Sequence, residues 1–333
     1  MPTTVAVLGD GAWGTAMALV LDRQPGVRVR LWSARAENGT ALQQARENVR
    51  FLPGVPLPST LELTTSAEEA VSGCDYWVSA IPTVHLRNTL TRFQAWATPN
   101  TPVISLTKGL EISTFRRPSE IIHEILGTDR VVALSGPTHA EEVARSRPTS
   151  AVAAGTESAL ASAVQRLFNS DRFRVYTNSD LLGVEIAGAL KNVMGIAAGI
   201  NDGLGYGDNA KSALLTRGLV EMTRFGIAHG AEPQTFQGLA GVGDLITTCF
   251  SRHGRNRRVG ELLGKGQTLA EILGNTPAVV EGVTTAKSVH ERTVRLGLEM
   301  PISTAVYRVL YEGVSPEEGV ITLMNRKTGG ERL

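Results

Sequence analysis

The sequence has few cysteines, few aromatic residues and almost no net charge. Only Cys74 and Cys249 occur among 333 residues. They lie far apart and outside any metal-ligand spacing, which argues against a disulfide framework or a metal site and favours a reducing compartment, with both thiols as small core residues. Lys and Arg (33) nearly balance Asp and Glu (32). No overall basic field would therefore attract nucleic acid or an anionic membrane, and any anion site must be local.

Long hydrophobic runs are also missing. The first apolar run, residues 5–8, is far shorter than the core of a signal peptide. Lys191 interrupts the longest later run, so we expect no membrane span. These absences predict a soluble, cytoplasmic protein. At 333 residues, with 35 glycines and a globular apolar fraction of 42%, the chain is long enough for two domains with a cleft between them.

The pattern of the chain changes near residue 180. Residues 1–178 alternate short β-branched runs with amphipathic stretches, which is typical of a parallel sheet covered by helices. We therefore predict an α/β fold, with a Rossmann-like, doubly wound, mostly parallel sheet in residues 1–178 and an all-α substrate and catalytic domain in residues 179–333. The predicted strands are residues 4–8, 27–32, 76–81, 102–106, 130–134, 150–154 and 173–176, and the predicted helices include residues 13–22, 85–96, 119–126, 157–168 and 180–200.

A G-x-G-x-x-G motif at residues 9–14 follows the first predicted strand and begins an apolar helix. The first glycine, Gly9, permits a tight turn, Gly11 lets a pyrophosphate approach the backbone, and Gly14 allows close helix packing. The start of the helix, at Ala12 and Trp13, then faces the phosphates with unpaired N–H groups. This placement predicts a dinucleotide site, in which Trp13 either lines the cofactor or packs in the core.

The residues after the second predicted strand bear on cofactor choice. NAD-specific sites usually place an acidic residue there, on the ribose hydroxyls. This chain instead has Ser33, Ala34 and Arg35. A hydroxyl and a guanidinium suit a 2′-phosphate, so NADP(H) is the predicted preferred cofactor. The alternatives are that Arg35 is an ordinary solvated residue and that nearby Glu37 leaves NAD(H) possible.

One lysine stands in the predicted helix 180–200, which also carries glycines at 183, 188, 195 and 199. Each helical glycine costs about 1 kcal/mol relative to Ala, so another backbone or a ligand is expected to approach closely. Lys191 has no carboxylate one turn away along the helix. Burial lowers the pKa of such an amine, which would let Lys191 deliver a proton to a carbonyl oxygen during hydride transfer. The alternative is a lysine that extends along the helix surface.

Two polar loops follow neighbouring predicted strands. Lys108 follows strand 102–106, and residues 135–142 follow strand 130–134. Both loops should lie at the carboxyl edge of the sheet, where open α/β sheets bind ligands. Thr138 is either a ligand contact or a helix cap. His139 and Glu141 are catalytic by type, but without a partner a helix-surface role is favoured.

A second polar group lies in the predicted helical domain. Asp244 follows a glycine-rich stretch and either orients Lys191 or caps a helix. Farther on, Gly254, Arg255 and Asn256 offer accessible N–H groups, a bidentate donor and an amide, which suit a phosphate. The surrounding arginines could instead form a solvated face or a weak nucleic-acid patch, but the balanced net charge disfavours nucleic acid.

Together these motifs resemble the soluble, NAD(P)-dependent glycerol-3-phosphate dehydrogenases of bacteria. The resemblance spans nearly the whole chain in the family's order, with GDGAWGTA at 9–16, TKGL at 107–110, SGPTHAEEV at 135–143, ALKNVMG at 189–195, NAKSALLTRG at 209–218, GVGDLITTC at 241–249 and GRN at 254–256. It implies reduction of dihydroxyacetone phosphate to sn-glycerol 3-phosphate, or the reverse, which in bacteria supplies the backbone of phospholipids.

The resemblance also implies a set of site residues. Lys191 would be the proton donor and acceptor, with Lys108 and Asp244 completing the catalytic set. The implied cofactor-binding residues are Gly9, Gly11, Ala12, Trp13, Gly14, Ala34, Arg35, Lys108, Ala140, Arg255, Val279 and Glu281. The implied substrate-binding residues are Lys108, Gly136, Thr138, Lys191, Asn192, Asp244, Thr248, Gly254, Arg255 and Asn256.

The chain departs from the family pattern at two positions, and two other functions stay open. Gly254 stands where bacterial members commonly have serine, and Ala34 interrupts the pair of basic residues often found in members that use NADPH. One alternative is another two-domain dehydrogenase of the β-hydroxyacid or 6-phosphogluconate type, which would not require residues 254–256. The other is a non-catalytic NADPH-sensing module, which would not need Lys191. A helical second domain indicates, by analogy only, a homodimer.

Overall fold

The computed structural model describes residues 2–276, 278–327 and 330. The chain forms two compact units, the first with residues 1–108 and 117–181 and the second with residues 109–116 and 182–333. This division lies three residues beyond the boundary that the sequence pattern places at 178. The short segment 109–116, which the pattern left in the first domain, groups with the second unit.

The first unit contains one eight-stranded sheet, in the order β3-β2-β1-β4-β5-β6-β7-β8. Neighbouring strands are parallel except for β6 and β7, which are antiparallel. The predicted Rossmann-like, mostly parallel sheet is therefore confirmed, although the sequence pattern did not reveal the three-residue strand β3. The strands are β1 (Thr3–Leu8), β2 (Val27–Trp32), β3 (Glu62–Thr64), β4 (Tyr76–Ser79), β5 (Val103–Ser105), β6 (Val131–Ser135), β7 (Thr149–Ala154) and β8 (Phe173–Asn178).

Helices cover both faces of this sheet. Val5 and Val7 of β1 belong to one apolar cluster, whereas Ala6 and Leu8 belong to a second cluster on the other face. A strand buried on both faces is typical of doubly wound folds, which explains why β1 is a continuous apolar run. The helices of this unit are α1 (Ala12–Asp22), α2 (Ala36–Ala45), α3 (Ala67–Val71), α4 (Thr83–Leu90) with a 3₁₀ turn at Thr91–Trp96, α5 (Pro118–Leu126), α6 (Ala140–Ala144) and α7 (Ser158–Phe168).

The regular structure in the described part of the second unit consists of helices without strands, as predicted. Its central helix, α8 (Leu181–Leu204), is long and apolar enough to cross a membrane, but 89% of its apolar window is buried inside the protein. It is therefore the core helix of this unit. The others are α9 (Gly207–Ala228), α10 (Pro233–Phe236), α11 (Asp244–Phe250), α12 (Arg255–Gly264), α13 (Leu269–Gly274), α14 (Glu281–Leu296), α15 (Pro301–Tyr311) and α16 (Pro316–Met324).

An aromatic stack attaches the segment 109–116 to the second unit. The ring of Phe115 lies 5.7 Å from that of Phe225 on α9 and 5.2 Å from that of His229, which follows the last residue of α9. The guanidinium of Arg292 lies 5.3 Å from the centroid of the Phe115 ring, in a cation–π geometry. These contacts are made by side chains far apart in the sequence, so local patterns could not assign the segment to the second unit.

Glycines let α8 and α12 pack backbone against backbone. A methyl group added at Gly199 would overlap the carbonyl oxygen of Arg257, and one added at Gly260 would overlap that of Ile196. Gly203 faces the carbonyl oxygen of Glu261 in the same way. Because residues four apart share one face of a helix, these positions form a continuous close seam. The expectation that a backbone approaches the glycines of α8 is confirmed for Gly199.

Candidate active site

The glycine turn after β1 combines two glycines that the fold requires with one that it does not. Gly9 has a φ of +118°, and an added Cβ there would lie 2.9 Å from the carbonyl oxygen of Ala80. An added Cβ at Gly14 would overlap the carbonyl oxygen of Gly9. At Gly11, by contrast, an added Cβ would meet no described atom within 4 Å. Gly11 therefore faces open space, into which a ligand can approach the backbone.

Unsatisfied polar groups at the carboxyl edge of the sheet fit a dinucleotide. Gly11 is the N-cap of α1 and provides no side-chain cap, so the first N–H groups of the helix are available to an anion. Among the described residues, the buried atoms Trp13 Nε1, Ser79 Oγ and Ser135 Oγ have no hydrogen-bond partner. The two serines end β4 and β6, at the carboxyl edge of the sheet. Trp13 also packs against the apolar core, so both roles considered for it are compatible.

Asn48 fixes the glycine turn, although no sequence motif marks this residue. Its Nδ2 donates to the carbonyl oxygen of Asp10 at 2.7 Å and to Thr15 Oγ1 at 2.8 Å. The side chain is buried and joins the turn to α1. Asn48 lies in an irregular loop beyond α2, where no periodic pattern or motif singles it out.

The turn after β2 uses Ser33 internally. Ser33 is 2% exposed, and its Oγ lies 2.7 Å from Asp10 Oδ2 and 3.1 Å from the carbonyl oxygen of Arg35. The expectation that this hydroxyl serves a 2′-phosphate is therefore wrong, because the hydroxyl is buried and already bonded. Ala34, Arg35 and Glu37 are exposed at the start of α2.

We call Lys108, Gly136 and Thr138 the strand-edge cluster. Lys108 Nζ lies 3.0 Å from the carbonyl oxygen of Gly136 and 3.2 Å from Thr138 Oγ1. The loops after β5 and β6 therefore meet, as parallel strands require. Thr138 does not cap α6, since the N-cap is His139 and the Thr138 hydroxyl lies 3.1 Å from the Gly136 oxygen. Ala140, the first residue of α6, is buried and belongs to the apolar core.

We call Lys191, Asp244 and Thr248 the lysine cluster. Lys191 Nζ lies 2.7 Å from Thr248 Oγ1 and 3.1 Å from Asp244 Oδ1, and Thr248 Oγ1 lies 3.3 Å from the same carboxylate oxygen. Lys191 is 9% exposed. The alternative of a surface lysine is therefore wrong. The carboxylate beside Lys191 is that of Asp244, which the sequence analysis expected either to orient Lys191 or to cap a helix. The carboxylate comes from another helix and favours the charged ammonium form.

A π-helical turn positions Asp244. The turn covers Leu239–Gly243 and leads directly into α11. A Cβ added at Gly241 would overlap the carbonyl oxygen of Phe236, so the turn requires glycine there. Asp244 begins α11, where the helix dipole favours a carboxylate, and Thr248 follows one turn later on the same face. Asp244 thus both contacts Lys191 and occupies the first turn of its helix.

Two asparagines connect three helices behind the lysine cluster. Asn256 Nδ2 on α12 donates to Asn192 Oδ1 on α8 at 2.8 Å, and the backbone N–H of Gly282 on α14 donates to Asn256 Oδ1 at 2.9 Å. Both side chains are buried. Their expected role was substrate contact, but in the structure these amide groups hydrogen-bond within the protein. Glu281, a predicted cofactor residue, precedes Gly282 at the start of α14.

Arg255 lies at the start of α12, with an exposed side chain. Its Nη1 donates to the carbonyl oxygen of Val279 at 3.1 Å, so two residues predicted at the cofactor site are in contact. Gly254, the N-cap, has little room for a side chain, because an added Cβ would lie 2.9 Å from the carbonyl oxygen of Thr248. Gly254 can therefore contribute only its backbone in this chain.

The two cysteines carry no chemistry at these clusters. Cys249 is free and buried, and burial raises the pKa of its thiol to about 12, so it stays protonated. Cys74 is free and partly buried, and burial raises the pKa of its thiol as well.

Family models match most of the chain. The model of the NAD-dependent glycerol-3-phosphate dehydrogenase N-terminus matches residues 4–161, and that of the C-terminus matches residues 180–321. Two similar curated proteins are named glycerol-3-phosphate dehydrogenase [NAD(P)+]. The one from Chlorobium phaeobacteroides is 46% identical over 97% of both chains, and the one from Geobacillus thermodenitrificans is 48% identical over 97% of this chain and 94% of its own.

Solved structures agree with these matches. The crystal structure of glycerol-3-phosphate dehydrogenase from Coxiella burnetii has a TM-score of 0.93 and 36% identity, covering 98% of this chain and 99% of its own. The yeast glycerol-3-phosphate dehydrogenase structure has a TM-score of 0.82 and 29% identity, covering 97% of this chain and 99% of its own. The likeness therefore includes both units of the chain.

Proposed function

Because the chain belongs to the NAD-dependent glycerol-3-phosphate dehydrogenase family, we propose that it interconverts dihydroxyacetone phosphate and sn-glycerol 3-phosphate with NADP(H) or NAD(H). The observation that carries this proposal is the buried lysine cluster, since reduction of a ketone needs a proton donor. A sensing module would have no use for a buried ammonium of this kind, and burying it is costly unless it is paired.

Each cluster has a distinct task in the proposed reaction. When bound, the reduced nicotinamide supplies the hydride. Lys191 donates a proton to the ketone oxygen, while Asp244 keeps the amine protonated and Thr248 orients it. Lys108, which is positioned by Gly136 and Thr138, supplies a positive charge at the carboxyl edge of the sheet, and such a charge can stabilise negative charge that develops during reduction. In the reverse direction Lys191 accepts the proton from the alcohol.

The proposed phosphate site lies at the start of α12. Arg255 uses one N–H on the Val279 carbonyl oxygen, and a guanidinium has five donors in a planar fork, so further N–H groups can bind phosphate oxygens. The first backbone N–H groups of α12 and the helix dipole add favourable interactions with an anion. Gly254 would act through its backbone, and Asn256 would act chiefly by fixing α12 against Asn192.

Three further proposals extend the family's role to this chain. We propose that the enzyme acts in the cytoplasm, that its product supplies the glycerol backbone of phospholipids, and that it forms a homodimer. The homodimer rests on analogy with other dehydrogenases whose second domain is helical. Sedimentation velocity at several concentrations tests it, and a single species with the mass of one chain would contradict it.

Absorbance of NADPH during addition of dihydroxyacetone phosphate tests the proposed function. We expect oxidation with this substrate and far less with unphosphorylated dihydroxyacetone. Arg255→Ala should raise the apparent KM for the phosphorylated ketone, whereas Arg252→Ala, an exposed control in the loop that precedes α12, should not. Reduction of a β-keto acid but not of the phosphorylated ketone would support the β-hydroxyacid alternative. Cofactor binding without turnover of any ketone would support the sensing module.

A further inference from the structure

A second guanidinium, that of Arg92, lies at the end of β2 beside Ala34, the residue where a basic side chain is missing. Ala34 separates Ser33 from Arg35, so the turn itself carries one basic residue. The 3₁₀ turn Thr91–Trp96 brings Arg92 to the same place. Arg92 Nη1 lies 3.3 Å from the carbonyl oxygen of Ala34, and its Cζ lies 4.6 Å from the centroid of the Trp32 ring.

The position of Arg92 is well fixed for an exposed side chain. Trp32 is fully buried, packs edge to face against Phe93 at 4.8 Å, and donates from Nε1 to the carbonyl oxygen of Thr65 at 3.1 Å. Phe93 is the next residue after Arg92 and is itself fully buried. A guanidinium that stacks on a rigid indole and bonds to a backbone oxygen loses little further entropy when it binds a ligand.

We propose that Arg92 is a cofactor-specificity residue that binds the 2′-phosphate of NADP(H) together with Arg35. The end of β2 is where dinucleotide-binding folds contact the 2′ position of the adenosine ribose. One N–H of Arg92 donates to the carbonyl oxygen of Ala34. The remaining N–H donors of the planar guanidinium suit a phosphate better than a hydroxyl. Ala34 has only a methyl group, so it does not block this approach.

The acidic groups near this turn do not replace an NAD-type carboxylate. Asp10 Oδ2 already accepts a hydrogen bond from the buried Ser33 hydroxyl. Glu37 lies in the first turn of α2 and is one exposed carboxylate beside two exposed guanidinium groups, those of Arg35 and Arg92. Two exposed arginines therefore dominate the charge at the end of β2, and they favour a phosphate dianion at the 2′ position. The proposal rests on the proposed function only in requiring that the chain binds NAD(P)H.

Binding of 2′,5′-ADP and 5′-AMP, which differ in the 2′-phosphate alone, tests this role without catalysis. We expect the wild-type protein to bind 2′,5′-ADP more tightly in calorimetry. Arg92→Ala should weaken the affinity for 2′,5′-ADP about 10- to 100-fold, as expected for the loss of charged hydrogen bonds, and leave the affinity for 5′-AMP nearly unchanged. Arg87→Ala is the matched control, since Arg87 is on the adjoining α4 and pairs with Glu124 at 2.8 Å. Arg87→Ala should change the affinity for neither nucleotide.

Steady-state kinetics provide the second readout. In Arg92→Ala, kcat/KM for NADPH should fall by the same factor as the affinity for 2′,5′-ADP, whereas kcat/KM for NADH should stay the same. Arg92→Lys keeps the positive charge but not the planar guanidinium, so its kcat/KM for NADPH should lie between those of the wild-type protein and Arg92→Ala. Equal weakening of both nucleotides in Arg92→Ala would overturn the proposal, because Arg92 would then merely support Trp32. Equal binding of the two nucleotides by the wild-type protein would overturn it too. Because nucleotide binding needs no ketone, failure here and failure of the proposed activity are distinguishable.

Discussion

The strand-edge cluster and the lysine cluster are built in different ways. In the strand-edge cluster, both Lys108 Nζ and the Thr138 hydroxyl lie within hydrogen-bond distance of one main-chain oxygen, that of Gly136. In the second unit, Lys191, Asp244 and Thr248 contact one another through buried side chains. The path of the backbone therefore sets the first cluster, whereas charge pairing sets the second. Side-chain removal should cost the second unit more stability, because it leaves a buried charge unpaired.

Removal of the two lysines should give the largest effects and the clearest contrast. Lys191→Met removes the proposed proton donor, so kcat should fall by about 10²- to 10⁴-fold. It also leaves Asp244 buried without its cation, which should lower the free energy of unfolding by about 3–5 kcal/mol. Lys108→Met should lower kcat/KM while changing the free energy of unfolding by less than about 1 kcal/mol. Urea unfolding and steady-state kinetics measure the two effects.

The double variant Lys191→Met/Asp244→Asn separates catalysis from folding. It removes both charges, so much of the lost stability should return while activity stays low. Recovery of activity together with stability would mean that Lys191 acts only in the fold. Equal destabilisation by Lys191→Met and Lys108→Met would remove the contrast between the two clusters.

Glycine variants should separate packing from ligand binding. In Gly199→Ala the new methyl overlaps the Arg257 carbonyl oxygen, so we expect a loss of more than about 3 kcal/mol in the free energy of unfolding. In Gly11→Ala the methyl enters open space, so thermal unfolding should hardly change while NADPH affinity falls, because the methyl occupies the approach to the backbone. A Gly11→Ala protein that binds NADPH normally would show that the cofactor does not approach this turn.

The asparagine bridge should show an intermediate effect. Asn256→Ala leaves the Gly282 N–H and Asn192 Oδ1 without their partner, which should cost about 2–4 kcal/mol of the free energy of unfolding. Asn275→Ala is the control, since this side chain is exposed and its Nδ2 donates to the Glu271 carbonyl oxygen at 3.0 Å. Its effect should be within about 0.5 kcal/mol. Similar losses in both variants would refute the bridging role of Asn256.

The smallest expected effect is a pH dependence of the second unit. Glu221 on α9 accepts hydrogen bonds from the backbone N–H groups of Ile302 and Ser303, at 2.6 and 3.1 Å. Burial nevertheless raises the pKa of this carboxyl from 4.5 to about 6. The native protein therefore binds a proton between these values that the unfolded chain releases. The free energy of unfolding should rise as pH falls from about 6 to about 4.5, by at most about 2 kcal/mol.

Glu221→Gln isolates this effect. The variant cannot titrate at this position, so its stability should change less than that of the wild-type protein across the same range. Urea unfolding at roughly pH 4.5 and pH 6 measures the difference between the two slopes. Equal slopes in both proteins would assign the pH dependence to other groups.

Local sequence patterns predicted the first unit better than the contacts of the second. The glycine turn, strand β2 and the polar loops after β5 and β6 follow from periodicity and spacing, because parallel strands bring successive loops to one edge. For Asp244 the sequence left two roles open, orienting Lys191 or capping a helix. Periodicity could not decide between them, since Thr248 and Asp244 belong to α11, with Thr248 57 positions away from Lys191. Arg92 was also missed, because its stacking on Trp32 depends on the packing of the 3₁₀ turn. Family resemblance named Asp244 and Thr248 but did not reveal how they are arranged.

The most direct test of the account follows the transferred hydride. NADPH carrying two deuterium atoms on C4 of the nicotinamide is incubated with the full chain and dihydroxyacetone phosphate, and the product is analysed by mass spectrometry and NMR. We predict sn-glycerol 3-phosphate with one deuterium on C2, and almost no product from Lys191→Met. Bound NADPH that yields no deuterated glycerol phosphate, or an equal yield from the Lys191 variant, would contradict the account.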